Sequence, residues 1–365
     1  MKLPTHPMIV VCRVTTRCNL ACGFCAYDRR LAFERGTITD AAIERLIELL
    51  RAHRAAHAQP VLLSWLGGEP LLWARWQHWS AHAQARGLEV SATTNGSTLR
   101  QPAVRAAILR NFSELTISID ALATTHNELR GWPGGFERIC AGIAALVDER
   151  SRSGARLMLR VNVVLMRSTL PQFPTLARRL NALGIDEISL NLLGGRDRPE
   201  FHANEAPTAE ALERFWLELP ELRAQLKQEL AAAAAPTTAT AAVAAPARAN
   251  PMRILGDAGY QARLVAASRG EGWPMADCRP GEQFLFVDER GRIAPCAFTG
   301  DALGVGIFDI ERLDVLPSRF RARRACALPQ VCTDCPSTQL AGKFAHPAGV
   351  DFSTTPSALR IPESA

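Results

Sequence analysis

Residues 18–25 read Cys18-Asn19-Leu20-Ala21-Cys22-Gly23-Phe24-Cys25, a C-x3-C-x2-C run directly after the first strand-like segment, residues 8–14. Three thiols on one short loop converge on a common point, and soft thiolates select zinc, Cu(I) or an iron–sulfur cluster. A structural zinc site closes on four ligands. No neighbouring His or Cys supplies the fourth, since the next candidate, His53, falls in a helix-like segment. A [4Fe–4S] cluster on three thiolates instead leaves one iron open for chemistry.

The rest of the chain sets the context. It has 365 residues, 47% hydrophobic and 21% charged, which describes a soluble globular protein and not a disordered or fibrous one. That length suits one large α/β domain or a barrel with a smaller partner. The net charge of +6 comes without a clustered basic stripe, so no DNA partner is expected. No run of about 18 apolar residues points to a membrane span. The start, MKLPTHPMIVVCRV, makes a poor secretory signal, and a cytoplasmic location is expected. Eight of the ten cysteines fall in two clusters at opposite ends of the chain, which favours metal binding over disulfides. The other two, Cys12 and Cys140, are expected to be buried structural thiols.

Short apolar runs at 8–14, 61–65, 88–94, 114–119, 157–165 and 187–192 predict strands. Helical periodicity fills the gaps, as at 39–56, where Thr39 reads as a capping residue, and at 136–150. Such alternation implies a parallel sheet with right-handed crossovers, either doubly wound or a partial barrel, with its reactive face at the strand ends. Residues 208–230 predict a helix that Pro220 kinks or splits, with Leu212, Phe215, Trp216 and Leu219 on one side. The Ala/Thr/Pro-rich stretch 231–251 reads as a flexible insertion. Residues 284–296 read as a hairpin turning at 288–291. Trp73, Trp76 and Trp79 are expected on a packed helix face, and Trp65 in the core.

Further motifs stand at the strand ends in order. Gly67-Gly68-Glu69-Pro70 follows the second strand, Thr93-Thr94-Asn95-Gly96 ends the third, and Ser118-Ile119-Asp120 ends the fourth. HNELRG, from His126 to Gly131, then leads into a helix, and Asn162 lies in the fifth strand. Together with the cysteine loop, these residues resemble the radical S-adenosylmethionine (SAM) superfamily over residues 8–195. The resemblance implies a partial (β/α)6 barrel in which Cys18, Cys22 and Cys25 hold a [4Fe–4S] cluster that SAM chelates. Gly67, Gly68, Glu69 and Pro70 would receive the SAM ammonium group, the glycines allowing close backbone approach to the ligand. Asn95 joins the cofactor-binding set. Ser118 and Asn162 would contact the ribose or carboxylate, and Arg130 is a candidate carboxylate partner. The plain alternative for these polar strand-end residues is a satisfied turn. The implied reaction is reductive cleavage of SAM to a 5′-deoxyadenosyl radical, which takes a hydrogen atom from substrate. No catalytic acid or base is assigned, and His126 and Glu69 read as neighbours of the SAM site.

The second cluster comprises Cys278, Cys296, Cys326, Cys332 and Cys335. Its spacing resembles the SPASM extension of radical SAM enzymes, cut short after Cys335 to the twitch form. That resemblance implies one auxiliary [4Fe–4S] cluster on Cys278, Cys296, Cys332 and Cys335, with Cys326 a spare thiol or a substitute ligand. A four-cysteine zinc ribbon is the alternative. The expected domains are a barrel at 1–200, a helical connector at 201–270, a twitch domain at 271–345 and a flexible tail at 346–365.

An auxiliary cluster suits electron transfer, which turns hydrogen abstraction into net oxidation. The expected function is therefore oxidative modification or crosslinking of a peptide, with flavodoxin or ferredoxin as electron donor. A small-molecule substrate is the alternative, as in 2-deoxy-scyllo-inosamine dehydrogenase, whose single-cluster pattern is similar. The first strand starts near Met8, leaving no room for an N-terminal leader-recognition domain, which weakens the peptide reading. Two further readings are an enzyme of cofactor or RNA metabolism and a non-enzymatic iron–sulfur or zinc scaffold.

Overall fold

The computed structural model describes residues 7–194, 197–234, 251–256, 258–271 and 281–327. Seven parallel strands pair in chain order. They are β1 (Met8–Thr15), β2 (Val61–Gly67), β3 (Glu89–Thr94), β4 (Glu114–Ser118), β5 (Met158–Leu165), β6 (Glu187–Leu192) and β7 (Arg253–Ile254). The first six match the predicted runs to within two residues at each end. The helices between them are α1 (Asp40–His57), α2 (Trp76–Ala85), α3 (Pro102–Asn111), α4 (Ala123–Arg130), α5 (Gly135–Ser153) and α6 (Phe173–Ala182). Then come α7 (Pro199–Glu205), α8 (Ala209–Ala234) and α9 (Ala258–Ser268).

Sequential strand order decides between the two architectures that periodicity left open. A doubly wound sheet reverses its order once; this one never does. With every crossover of one hand, the helices fall on one face and the sheet curls around the other, giving a partial barrel. Among the described residues, β7 pairs only with β6, so the wall stays open.

The local reasons are visible in the sequence. β1 is buried along almost its whole length, as a parallel strand covered on both faces must be. The α1 helix starts where Thr39 Oγ1 accepts the Ala42 N–H at 3.2 Å, and it buries Ala42, Ile43, Leu46, Ile47, Leu49 and Leu50 as one stripe. Trp65, Trp73, Trp76 and Trp79 are all core residues, although Trp73 lies in the turn before α2 and not on its face, and the indoles of Trp65 and Trp79 donate to Ser80 and Asp40. Cys12 and Cys140 are buried as expected. The α8 helix runs through Pro220 without splitting; the proline lies on its exposed side, while Leu212, Phe215, Trp216 and Leu219 pack inward. It continues into the first residues of the Ala/Thr/Pro-rich stretch, to Ala234; residues 235–250 lie outside the described ones.

The C-terminal part begins with the predicted hairpin, β8 (Phe284–Val287) and β9 (Arg292–Ala294), followed by α10 (Gly300–Leu303), β10 (Val305–Gly306) and α11 (Leu316–Ala327). The turn forms because Asp288 Oδ1 accepts the N–H groups of Arg290 and Arg292, and Gly291 takes a φ of 75°. The hairpin does not stand apart from the barrel. β8 pairs in parallel with β1, from Ile9↔Phe284 to Cys12↔Val287, so one ten-stranded sheet crosses the expected domain boundary. Likewise β7 draws part of the expected connector into the sheet.

Deep in the wall, Arg160 on β5 lies between Glu187 on β6, at 2.7 Å, and Glu114 on β4, at 3.3 Å, with all three buried. Arg160→Met removes this cation from both carboxylates, leaving Glu187 its contact with Arg253, and is expected to cost about 3 kcal/mol. Anaerobic urea unfolding measures this, and a loss under about 1 kcal/mol would mean that the pairs behave like solvated surface ones.

Candidate functional site

The site is built at the carboxyl ends of the strands, and its centre is the loop leaving β1. Arg35 holds that loop in shape by donating to the carbonyls of Thr16, Tyr27, Asp28 and Leu31, between 2.7 and 3.1 Å. Asp28, almost fully buried, accepts from the Arg30 N–H and guanidinium, and Arg198 approaches it at 3.4 Å. The loop's middle docks on the last turn of α4, where Ala21 and Gly23 donate their N–H groups to Arg130 O and Leu129 O. Gly131 takes a φ of 57° there, and a Cβ on it would stand 2.9 Å from the Ala21 carbonyl oxygen.

Cys22 is buried, and Cys18 and Cys25 are half-buried. Burial pushes all three thiols upward, Cys22 to about 12 against the pull of Arg130. Backbone N–H groups of Leu20 and Tyr27 point at the sulfurs of Cys18 and Cys25 at 3.4 and 3.3 Å, and Asn95 Nδ2 reaches Cys18 at 3.7 Å. Donors aimed at sulfur favour thiolate, which a bound metal would complete by displacing the protons. Three thiols on one loop leave an iron of a [4Fe–4S] cluster open, whereas a closed zinc site needs a fourth ligand.

The Gly67-Gly68-Glu69-Pro70 turn lies against the root of this loop. A Cβ at residue 67 would be 2.3 Å from Thr15 O, and one at residue 68 would be 2.2 Å from Arg17 O. Both glycines are thus demanded by the chain's own backbone, where the sequence reading invoked approach to a ligand. Gly68 N and Glu69 N donate to Thr15 O and Arg17 O at 2.8 Å each. Glu69 is fully buried, and its carboxylate accepts from Thr94 Oγ1, Asn95 N and Leu71 N at 2.7, 2.6 and 3.0 Å. Burial pushes its pKa up to about 7 against those three donors. Its side chain ties β2 to β3 and does not face open space. Pro70 opens the short 3-10 turn that follows.

Arg130 is likewise committed. Its guanidinium pairs with buried Asp120 at 2.6 Å, lies 5.2 Å from the Phe24 ring centre, and acts on the charge of Cys22 and Cys25. Asp120 also accepts the Val164 N–H. His126 Nδ1 accepts the Asp120 N–H, and burial holds the ring neutral, with its pKa down to about 4.

Asn95 reaches Asn19 as well as Cys18. Ser118 and Asn162 face each other in register at the ends of β4 and β5. The Asn162 side-chain oxygen accepts from Ser189 and Asn191. Ser118, half-buried, makes no side-chain hydrogen bond among the described residues. Sequence reasoning missed Arg35, Asp28 and the structural part of Asp120, although Asp120 stood inside a quoted strand-end motif. Arg35 and Asp28 lie in no recurring pattern.

From the second cysteine cluster, Cys296 is placed, just after β9, with its sulfur 3.3 Å from Thr299 Oγ1. Cys278, Cys332 and Cys335 lie outside the described residues, as do the expected tail and the side chain of Cys326. The hairpin turn reaches the first loop directly. Glu289 pairs with Arg13 at 2.6 Å, and Arg13 donates to the Tyr27 hydroxyl at 2.7 Å.

Residues 12–159 match the family model described as Radical SAM superfamily. The chain is similar to the AdoMet-dependent heme synthase of Methanosarcina barkeri (strain Fusaro / DSM 804), with 25% identity over 80% of this chain and 77% of the relative. It is also similar to the PqqA peptide cyclase of Xanthomonas axonopodis pv. citri (strain 306), with 23% identity over 93% and 83% of the two chains. Among solved structures, Streptococcus suis SuiB bound to precursor peptide SuiA superposes with a TM-score of 0.60 at 17% identity. That superposition takes in 86% of this chain and 65% of SuiB, and it speaks for the fold.

The close approach at residue 68 has a direct consequence. Gly68→Ala is expected to displace Arg17 and Cys18 and to lower sharply the iron retained after anaerobic reconstitution. Gly194→Ala, which would meet nothing within 4 Å, is expected to retain it. Iron analysis after anaerobic reconstitution compares the two, and equal iron contents would sink the account.

Proposed function

The chain carries a radical SAM domain, and on that premise we propose that it is an enzyme that cleaves SAM reductively and oxidatively modifies a peptide. The observation that carries the reading is the loop of Cys18, Cys22 and Cys25. It lies beside the Gly67–Pro70 turn, and backbone N–H groups of Leu20 and Tyr27 approach the sulfurs of Cys18 and Cys25. Cys18, Cys22 and Cys25 would hold a [4Fe–4S] cluster, which would supply the electron for reductive cleavage of SAM and so for removal of a hydrogen atom from substrate.

The chain's own residues hold and shield that chemistry. Arg35, Asp28 and the α4 terminus keep the three thiols converged. Asn95, Ser118 and Asn162 form the polar rim available to SAM. Exclusion of solvent protects a reactive radical, and the buried walls around Glu69 and His126 provide it on the barrel side.

An auxiliary [4Fe–4S] cluster on Cys278, Cys296, Cys332 and Cys335, with Cys326 as substitute, would accept the electron left on the substrate. Cys296 follows the hairpin that pairs with β1, which supports a route between the two centres. Flavodoxin or ferredoxin is the proposed donor, and the cytoplasm the proposed location. No helix among the described residues is long and apolar enough to cross a membrane.

The peptide substrate rests on similarity to the PqqA peptide cyclase across nearly the whole chain. A tetrapyrrole is the second reading, favoured by the heme synthase relative. Iron and sulfide analysis with EPR tests the cofactor part. About eight irons per chain are expected, falling to about four in a Cys18/Cys22/Cys25→Ala variant. About four irons that vanish in that variant, with zinc retained, would replace the auxiliary cluster by a structural zinc site. SAM cleavage assayed with candidate peptides and with iron-coproporphyrin then separates the substrates. Stimulation by the porphyrin alone would overturn the peptide reading.

A further inference from the structure

Away from this site, His53 and His57 stand one turn apart on α1 and face Asp314, in the 3-10 turn Leu313–Val315 that leads into α11. We propose that these three residues bind a divalent transition-metal ion of the zinc class.

Asp314 Oδ1 lies 2.8 Å from His57 Nε2 and 3.2 Å from His53 Nδ1, and the three ligand atoms all fall within 4.8 Å of one another. Tetrahedral zinc with bonds near 2.1 Å needs its donors about 3.4 Å apart, so small side-chain shifts suffice. Among the described residues this is the one such grouping of three His, Cys, Asp or Glu side chains.

The hydrogen bonds around the three residues leave one donor atom of each facing a common point. The other Asp314 oxygen is held by Arg312, at 2.5 Å, which leaves Oδ1 for the histidines. His53 Nε2 faces the side-chain oxygen of Gln59 at 3.1 Å. His53 therefore meets an oxygen at each nitrogen, which a neutral imidazole with one N–H cannot satisfy. A metal on Nδ1 resolves this, leaving the Nε2 proton for Gln59 in the usual arrangement of a ligating histidine. A second ring proton or a turned Gln59 amide would also resolve it, and these define the metal-free outcome below.

Two imidazoles and one carboxylate favour zinc and its neighbours over magnesium or calcium, which take oxygen. The side chains are 11%, 41% and 30% exposed for His53, His57 and Asp314, so an ion can enter and water can fill the fourth position. Bound there, it would clip α1 of the barrel to the start of α11.

The test uses holoenzyme with its iron–sulfur clusters loaded, so that the cysteines are occupied. Zn²⁺ is added, excess ion is removed by gel filtration, and zinc is counted and examined by X-ray absorption. About one zinc per chain with only nitrogen and oxygen neighbours is expected. Affinity should fall on the order of 100-fold or more in His57→Gln and in Asp314→Asn. Iron content and circular dichroism should match wild type, His57 and Asp314 both being partly exposed and distant in sequence from the cysteine loop. No retained zinc, zinc with sulfur neighbours, or unchanged affinity in both variants would overturn the proposal.

Discussion

The ends of β1 and β2 approach so closely that residues 67 and 68 have no room for a methyl group. Everything at the reactive face follows from that contact. It places two main-chain hydrogen bonds across the root of the cysteine loop and aims the loop over the strand ends. It also turns Glu69 inward, where one carboxylate joins the ends of β2 and β3 through Thr94 and Asn95. The loop is then fixed at its middle by α4 and along its return by Arg35. A flexible three-thiol segment becomes a preorganised one by backbone contacts more than by side-chain packing.

The same logic explains Arg130. A cation buried beside two cysteines stabilises negative charge on them, but alone it would be costly to desolvate. Asp120 supplies its partner, and the Asp120 position is fixed in turn by the Val164 and His126 contacts. Local electrostatics and loop geometry therefore depend on one another, and neither is set by the cysteine spacing alone.

The parallel strands were legible because each is a short stretch rich in apolar or β-branched residues between helical segments, and α1 because a capping threonine precedes an apolar stripe. The cysteine loop and the Gly67–Pro70 turn were legible as motifs. Their physics was read less well: the glycines answer to Thr15 and Arg17, and Glu69 answers to Thr94 and Asn95. Such partners lie 25 or more residues away and carry no local signal. The pairing of β8 with β1 was hidden for the same reason, since a four-residue strand at 284–287 does not announce which edge it will join. His53 drew attention only as a distant candidate for the cysteine site, because Asp314 is some 260 positions further along.

That last pairing bears on how the chain comes to be folded. Until β8 is made, one edge of β1 has an unfilled row of backbone donors and acceptors, buried side chains on both faces and nothing to cover it. At about 5–20 residues per second, synthesis of the intervening 270 or so residues takes roughly 15–50 s. During that interval the barrel's first strand is a template for intermolecular pairing. In the folded chain it is β8, made from the C-terminal third, that closes this edge.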